Sequence, residues 1–367
     1  MNNRTTALLP PLFATLLTGF SAQAALVETS AGPLRISEMA GGFDEPWGFA
    51  FLPDGAVLVT ERGGRLSMIR DGTARPISGG PKVRVSGQGG LLDVMVPRDF
   101  ATSREVWLSY SVAVRGGVAT AMGRGTLSAD GTSLEGFETV WTGDPARGGR
   151  HFGARLAEAP DGTIRLATGD RGTGPGGTEA QDPASSIGKV IGITRDGAAL
   201  PAPDGWAPGV VSLGHRNIQG AAFGPDGRFW VAEHGARGGD EINLVEQGRN
   251  YGWPVISYGV NYNGDTIGTG TEAAGMEQPA HYWDPSIAPS GLAVWDGGLM
   301  PGWTGSLMVG SLKFDHIARL DPAKGFAEER IKAPETGRVR DVRQGPDGAL
   351  WFLSVTHGAL FRMAPAD

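Results

Sequence analysis

The chain has 367 residues, no cysteine and a formal net charge of −7. Without cysteine, neither disulfides nor thiolate metal sites can form, so a large core or bound ions must stabilise the fold. The acidic balance argues against nucleic acid or an anionic membrane as a partner, because both attract basic surfaces. Glycine contributes 60 residues without a collagen-like period, which indicates many tight turns between short strands.

Residues 5–20 form an apolar stretch that follows the basic residue Arg4. The stretch is too short and too often interrupted by proline to span a bilayer, and it leads into small residues that end at Ala24. This pattern is typical of a secretory signal peptide over residues 1–24, with cleavage after Ala24. We therefore expect a soluble, periplasmic or secreted protein in which residues 25–367 form a single domain without a membrane span.

A Pro-Asp-Gly turn motif occurs between strand-like runs and begins at positions 53, 160, 225 and 346. Proline sets the first turn angle, aspartate bonds its own backbone, and glycine adopts the positive φ that a returning strand requires. The intervals approximate one or two multiples of about 60 residues, the span of four strands with their loops. We predict an all-β fold, a six-bladed β-propeller of four-stranded antiparallel blades, whose loops converge at the centre. A β-solenoid or a two-domain sandwich is the alternative.

Four cations lie beside predicted strands although they are far apart in the chain: Arg216, Lys313, Arg338 and Arg340. In a propeller such loops can meet, and a cluster of Arg and Lys in an acidic protein favours a small ligand with several anionic groups. The alternative is that these are surface cations paired with neighbouring acids such as Asp341.

His151 lies just before an apolar strand and is one of six histidines in the chain. An ordinary histidine pKa of about 6.5 suits a general base at neutral pH. The alternative is a structural hydrogen-bonding role, and spacing alone does not decide between the two.

The segment 233–244 combines carboxylate side chains with glycine turns that expose backbone carbonyls. Calcium prefers this combination, whereas zinc would require a quartet of His or Cys that is not visible here. An acidic surface turn is the alternative. The sequence has no P-loop and no dinucleotide-type glycine motif, which argues against ATP and nicotinamide chemistry.

Seven short motifs, in order, resemble those of the soluble quinoprotein glucose and aldose sugar dehydrogenases, from Pro46 to Arg362. They are PWG (46–48), GQGGLL (87–92), HFGARL (151–156), GHRN with QG (214–220), GDEINL (239–244), NYGWP (250–254) and RVRDV (338–342). The resemblance implies oxidation of aldose sugars to lactones, with pyrroloquinoline quinone (PQQ) and Ca²⁺ as cofactors and an external electron acceptor. A monomer or a homodimer is expected.

The resemblance also implies roles for individual residues. His151 would take the proton of the anomeric hydroxyl while hydride passes to the quinone, and Arg216 would stabilise the negative charge that develops. The side chains expected to contact PQQ are Gln88, Arg216, Asn217, Tyr262, Lys313, Arg338 and Arg340.

Two calcium ions are implied as well. One would bridge PQQ to the backbone carbonyls of Gly235 and Ala236, and a second would bind Glu241 and the backbone of Tyr251. Many family members have proline in place of Ala236, so the carbonyl ligand is kept but the loop is expected to be less stiff. Arg150 stands where the glucose enzyme has a carboxylate that can orient its base, and an arginine does not provide that orienting contact.

Residues 282–290, which are expected to face the substrate, match the family's sequence pattern. Their aromatic residues stand at other positions than those of the glucose enzyme. The shorter chain is more similar to the aldose sugar dehydrogenases, so we expect an open cleft and a broad specificity.

Two other functions are considered. One is a calcium-dependent propeller lactonase or esterase with His151 as base and no organic cofactor. The other is a non-catalytic propeller that binds a glycan or a protein.

Overall fold

The computed structural model describes residues 25–366, which form six antiparallel sheets. The innermost strand of each sheet contacts the innermost strands of both neighbouring sheets, so the sheets close into a ring. The prediction of a six-bladed β-propeller is confirmed. The predicted signal peptide, residues 1–24, lies outside the described residues.

The strands are numbered in chain order. The chain begins with β1 (Ala25–Thr29) and β2 (Gly32–Gly41). Blade 1 contains β3 (Pro46–Phe51), β4 (Val57–Glu61), β5 (Leu66–Arg70) and β6 (Thr73–Ile77). Blade 2 contains β7 (Leu91–Met95), β8 (Glu105–Val114), β9 (Gly117–Leu127) and β10 (Leu134–Thr142). Blade 3 contains β11 (Gly153–Glu158), β12 (Ile164–Thr168), β13 (Lys189–Ile193) and β14 (Val210–Leu213).

Blade 4 contains β15 (Ile218–Phe223), β16 (Phe229–Glu233), β17 (Asp240–Val245) and β18 (His281–Trp283). Blade 5 contains β19 (Pro289–Val294), β20 (Leu307–Ser311), β21 (His316–Asp321) and β22 (Ala327–Ile331). Blade 6 contains β23 (Val339–Gln344), β24 (Leu350–Ser354) and β25 (Ala359–Pro365). The helices are short: α1 (Phe100–Ser103) and the 3₁₀ turns Gly174–Gly176, Pro301–Trp303, Pro322–Lys324 and Pro334–Thr336.

Blade 6 joins the two ends of the described chain. Strand β2 pairs with β25, with Ile36 opposite Met363, and β1 pairs with β2. This blade therefore has five strands instead of the predicted four, in the order β1-β2-β25-β24-β23. Because strands from both ends hydrogen-bond within one sheet, the ring closes without an open edge at the junction.

The four Pro-Asp-Gly motifs join the first and second strands of blades 1, 3, 4 and 6. Their glycines have φ values between +74° and +86°. In each motif the aspartate Oδ1 accepts a hydrogen bond from the backbone N–H two residues further on, at 3.0–3.2 Å. These bonds explain why the motif recurs, since Asp and Gly both stabilise the same tight turn.

Apolar residues fill the space between neighbouring blades. Leu58 and Leu108 belong to one cluster between blades 1 and 2, and Trp107 and Leu166 to the next cluster around the ring.

No helix of the described residues is long and apolar enough to cross a membrane.

The up-and-down order of the strands sorts the loops between the two faces of the ring. The Pro-Asp-Gly turns lie at one face. The connections between blades and the turns between second and third strands lie at the opposite face, because antiparallel strands alternate in direction. Five of the motifs that carry the resemblance begin in connections at this second face, which places their side chains around the centre of the ring.

Candidate active site

A cavity of about 570 Å³ opens among the connections between blades. Every blade contributes a residue from just before or at the start of its innermost strand. These residues are Pro46, Gln88, Phe152, Asn217, Ala288 and Arg338. Turns between second and third strands add Arg62, His234, Lys313 and Val355.

The predicted cations meet at this cavity. Lys313, Arg338 and Arg340 line it, and Arg216 donates from Nη1 to the carbonyl of the lining residue His234 at 3.1 Å. Within residues 25–366, none of these four cations forms an ion pair with a carboxylate; Asp341 instead pairs with two other arginines. A cavity edged by unpaired cations is suited to a ligand with several anionic groups.

Beneath the cavity lies a group of charges that we call the axial charge cluster: the buried Asp93, Arg155, Arg340 and Asp341, and the partly exposed Arg343. Arg155 bonds Asp93 at 3.0 Å and Asp341 at 3.1 Å. Arg343 bonds the same two carboxylates at 2.8 and 3.1 Å. Three guanidinium groups thus face two carboxylates, which leaves one positive charge, that of Arg340, without a counterion.

Arg340 is the second residue of β23 and its Nη2 donates to Gln219 Oε1 at 2.8 Å. Burial, together with the nearby charge of Arg155, lowers the pKa of Arg340 to about 9, so the guanidinium is still protonated at neutral pH. The Nε atoms of Arg340 and Arg216 are buried and have no hydrogen-bond partner among the described residues. Both donors are therefore left unsatisfied in this conformation, next to a cavity that Arg340 itself lines.

His151 is held at the rim by its backbone and by its ring. Its backbone N–H donates to Gln88 Oε1 at 2.7 Å, and its Nδ1 lies 2.6 Å from Oδ1 of Asp170. Asp170 is fully buried and also accepts hydrogen bonds from Trp253 Nε1 at 2.9 Å and from the backbone of Gly172 at 2.7 Å. Although burial by itself raises the pKa of Asp170, the hydrogen bond and charge of His151 and the charge of Arg216 hold this pKa below its ordinary value.

An ionised Asp170 fixes the tautomer of the histidine. Because the carboxylate accepts, Nδ1 carries the proton and Nε2 keeps its lone pair. No residue in the described part of the chain hydrogen-bonds Nε2, and the His151 side chain is 13% exposed. The orienting carboxylate that Arg150 lacks is thus supplied by Asp170, from the turn after β12 of the same blade.

Sequence reasoning missed Asp170 and His234. His234 lies in the turn after β16, and its Nε2 donates to the carbonyl of Pro289 at 2.7 Å. Burial, followed by the charge of Arg216, lowers the pKa of His234 to about 3, so the ring is neutral and Nδ1 is an acceptor. The sequence signal was only their position: His234 directly follows the second strand of its blade, and Asp170 follows the second strand of its blade with one residue between.

Asn217 and Gln88 lie where the sequence places them, in the cavity wall. Asn217 Oδ1 accepts from the backbone of Gly153 at 3.2 Å, which ties the first strand of blade 3 to that of blade 4. Tyr262 does not line the cavity: it lies in the connection between β17 and β18 and is 72% exposed.

Three of the residues named as calcium ligands, Gly235, Glu241 and Tyr251, line one small void of about 10 Å³. A void of this size holds one ion or one water molecule. Ala236, the fourth, is buried next to this region. Within the described residues, no group of three or more His, Cys, Asp or Glu side chains is placed to hold a metal, so any ion here would depend on backbone carbonyls.

The carboxylate of Glu233 lies close to Glu241. Asn243 Nδ2 donates to both, at 3.0 Å in each case. Glu233 also accepts from His215 Nδ1 at 2.8 Å and from the backbone of Arg216 at 2.8 Å. Burial, followed by the negative charge of Glu233, raises the pKa of Glu241 above its ordinary value. This network connects Glu241 to the backbone of Arg216, and both residues line the small void.

The sequence profile described as Glucose / Sorbosone dehydrogenase matches residues 43–362. Aldose sugar dehydrogenase YliI of Escherichia coli is 40% identical over 353 residues, which cover 91% of this chain and 94% of that protein. The crystal structure of the soluble aldose sugar dehydrogenase from Escherichia coli in the apo-form superposes with a TM-score of 0.84 at 39% identity, covering 91% of this chain and 100% of the other.

A second solved structure, the PQQ-bound form of aldose sugar dehydrogenase from Streptomyces coelicolor, gives a TM-score of 0.75 at 26% identity and covers 93% of this chain and 99% of the other. The family profile and these relatives span almost the whole of the described propeller. The chain therefore belongs to the glucose/sorbosone dehydrogenase family of oxidoreductases.

Proposed function

We propose that the protein oxidises aldose sugars to lactones with PQQ as the bound electron acceptor. The observation that carries this proposal is a cavity lined by cations without ion pairs, with His151 at its rim, whose Nε2 has no hydrogen-bond partner among the described residues. PQQ supplies, when bound, a carbonyl that accepts hydride from the sugar, and the electrons then pass to an external acceptor. Relatives whose names include aldose sugar dehydrogenase, one of them in a PQQ-bound form, support the same assignment.

The cations around the cavity suit the charge of the cofactor. PQQ carries three carboxylates, and Lys313, Arg338 and Arg340, which line the cavity, would bind them. Gln88 and Asn217 would contact the cofactor from the wall. Tyr262 would reach it only through a movement of its exposed connection.

His151 and Arg216 would have separate roles in the reaction. His151 would accept the proton of the anomeric hydroxyl at Nε2, while Asp170 stabilises the imidazolium that results. Arg216, whose Nε has no partner among the described residues, would stabilise the negative charge that develops as hydride leaves the sugar.

The first test is a dye-linked assay of the purified apoprotein with glucose and other aldoses, with and without added PQQ and Ca²⁺. Dye reduction that requires sugar, PQQ and Ca²⁺ together is the expected result. Hydrolysis of a lactone or ester without PQQ would instead favour the calcium-dependent hydrolase.

Residues 1–24 are proposed to be a cleaved signal peptide that directs the enzyme to the periplasm or the medium. The exported protein should then begin at Ala25, and N-terminal sequencing of the secreted chain measures this directly. A cell-associated protein that still begins at Met1 would contradict export.

Replacing Lys313 by Ala should weaken PQQ binding about tenfold, because one charge-assisted hydrogen bond contributes roughly 1.5 kcal/mol. Calorimetric titration of the apoprotein measures the change. Lys324→Ala is the matched control, because Lys324 is 73% exposed and pairs with Asp321 in blade 5, away from the cavity. An equal loss of affinity in both variants would show that Lys313 has no specific contact.

Calcium is proposed to bind at the small void, through Glu241 and the backbone of Tyr251, with a second ion held by Gly235, Ala236 and the cofactor. Hard oxygen ligands of this kind are those that Ca²⁺ prefers. Glu241→Gln should abolish most of the rise in melting temperature that added Ca²⁺ produces, since a ligand that binds only the folded state stabilises it. Glu246→Gln is the control, because Glu246 is exposed and pairs with Arg249. A calcium-dependent rise that persists in Glu241→Gln would place the ion elsewhere.

A further inference from the structure

The base of the cavity carries a positive charge that its surroundings do not balance. The two carboxylates of the axial charge cluster form their ion pairs with Arg155 and Arg343. Arg340 has a single side-chain hydrogen bond, to Gln219, and its Nε has no partner among the described residues. A buried cation in this situation is destabilised unless another group interacts with it.

The group that interacts with the buried Arg340 cation is the indole ring of Trp47. The Cζ of Arg340 lies 4.2 Å from the centre of the Trp47 ring, and the Cζ of Arg155 lies 4.3 Å from it. Trp47 is the second residue of β3, is 5% exposed and lines the cavity. Among the aromatic side chains, tryptophan attracts cations most strongly, and the attraction grows when the pair is shielded from water.

The contact with Trp47 also constrains the orientation of the Arg340 guanidinium. A guanidinium group is planar and donates hydrogen bonds from its edge, so a ring against its face fixes the plane while the N–H groups remain free to donate. The carboxylates of the cluster cannot take this role, because Arg155 and Arg343 occupy them. The ring of Trp47 is therefore the contact that keeps the edge of Arg340 available at the cavity.

We propose that Trp47 is a positioning residue, which holds the guanidinium of Arg340 at the base of the cavity so that it binds an anionic group of the ligand. The inference rests on the proposed function for the identity of that ligand, a carboxylate of PQQ. The positioning itself requires only that the ligand be a carboxylate-bearing anion.

The test compares Trp47→Leu, Trp47→Phe and the unaltered protein by calorimetry. The dissociation constant for PQQ is measured on the calcium-loaded apoprotein, and that for citrate, which chelates Ca²⁺, on the calcium-free apoprotein. Trp47→Leu should bind PQQ about ten- to thirtyfold more weakly, as expected for the loss of a shielded cation–π contact. Trp47→Phe keeps a ring of weaker attraction and should lose only about two- to fivefold. Citrate, which carries three carboxylates, should show the same ranking.

The matched control is Trp303→Leu. Trp303 is 2% exposed and has Arg319 against its ring, with the Cζ 5.6 Å from the ring centre, but it does not line the cavity. Replacing Trp303 removes a similar amount of buried packing as replacing Trp47, and it should leave both dissociation constants unchanged. Melting temperatures of all variants separate a loss of stability from a loss of affinity.

Each outcome decides the inference. Unchanged affinity in Trp47→Leu, or equal weakening in Trp303→Leu, would overturn it while leaving the proposed function intact. If Trp47→Leu does not fold, Trp47→Phe decides, and unchanged affinity there overturns the inference. Binding of citrate but not PQQ, in the expected ranking, would support Trp47 and refute the proposed function. Binding of neither would refute both.

Discussion

Replacing His151 by Gln should lower kcat of the PQQ-reconstituted enzyme by about 10²–10⁴-fold, the usual contribution of a general base. A glutamine amide does not accept a proton at neutral pH, so the anomeric hydroxyl would have no acceptor while hydride leaves. The dissociation constant for PQQ should change less than about threefold, because the side chains proposed to bind PQQ line the cavity and do not include His151. Steady-state rates with a dye acceptor and calorimetric titration with PQQ measure the two quantities.

A matched control is His281→Gln, since His281 lies on the outermost strand β18 of blade 4. That variant should retain the rate of the unaltered enzyme. A large loss of PQQ affinity in His151→Gln, with kcat preserved in the fraction that still binds, would mean that the histidine supports the cavity and does not act as the base.

The propeller was predictable because its turns use the same local chemistry each time. Pro-Asp-Gly appears wherever a short hairpin joins the first and second strands, and the Asp Oδ1 contacts described above show the reason. The fifth strand of blade 6 was not predictable in this way. The pairing of β1 with β2 depends on how the ring closes, and a segment such as Ala25–Thr29 has no turn motif of its own that announces an additional strand.

The same logic explains which site residues the sequence revealed. Gln88, Asn217 and Arg338 belong to motifs directly before an innermost strand, so the fold alone brings them to one cavity. Lys313 comes from a turn between second and third strands, which opens on the same face.

Asp170 and Trp47 were harder to recognise, because their roles depend on partners far away in the chain. Asp170 is 19 positions from His151, and Trp47 stacks on an arginine contributed by blade 6. The Trp47 contact arises from the packing of blades around the axis, and the Asp170 contact arises from two loops of blade 3, so a local pattern does not identify either partner. Tyr262 illustrates the opposite case, in which a motif-based prediction falls on an exposed position outside the cavity.

Asp170→Asn should lower kcat by about 10²–10⁴-fold with little change in PQQ affinity, as is typical when the orienting carboxylate of a catalytic histidine is removed. Asp170 accepts at one oxygen from His151 and Gly172 and at the other from Trp253. An asparagine has only one oxygen. If the side-chain NH₂ faces His151, it donates to Nδ1, and the ring proton moves to Nε2, where the base needs its lone pair. If the NH₂ faces Trp253, it meets the indole N–H, and two donors face each other in a buried site.

An NH₂ that faces His151 imposes the wrong tautomer, whereas one that faces Trp253 keeps the tautomer and removes only the negative charge that stabilises the imidazolium. Either orientation should also lower the melting temperature, because it leaves a buried N–H of Trp253 or of Gly172 without an acceptor. The control is Asp161→Asn in the Pro-Asp-Gly turn of the same blade, where the retained Oδ1 still accepts from the backbone of Thr163. That variant should match the unaltered enzyme. Full activity in Asp170→Asn would show that His151 keeps its reactive tautomer without the carboxylate, and the base would then owe its orientation to the backbone contact with Gln88 alone.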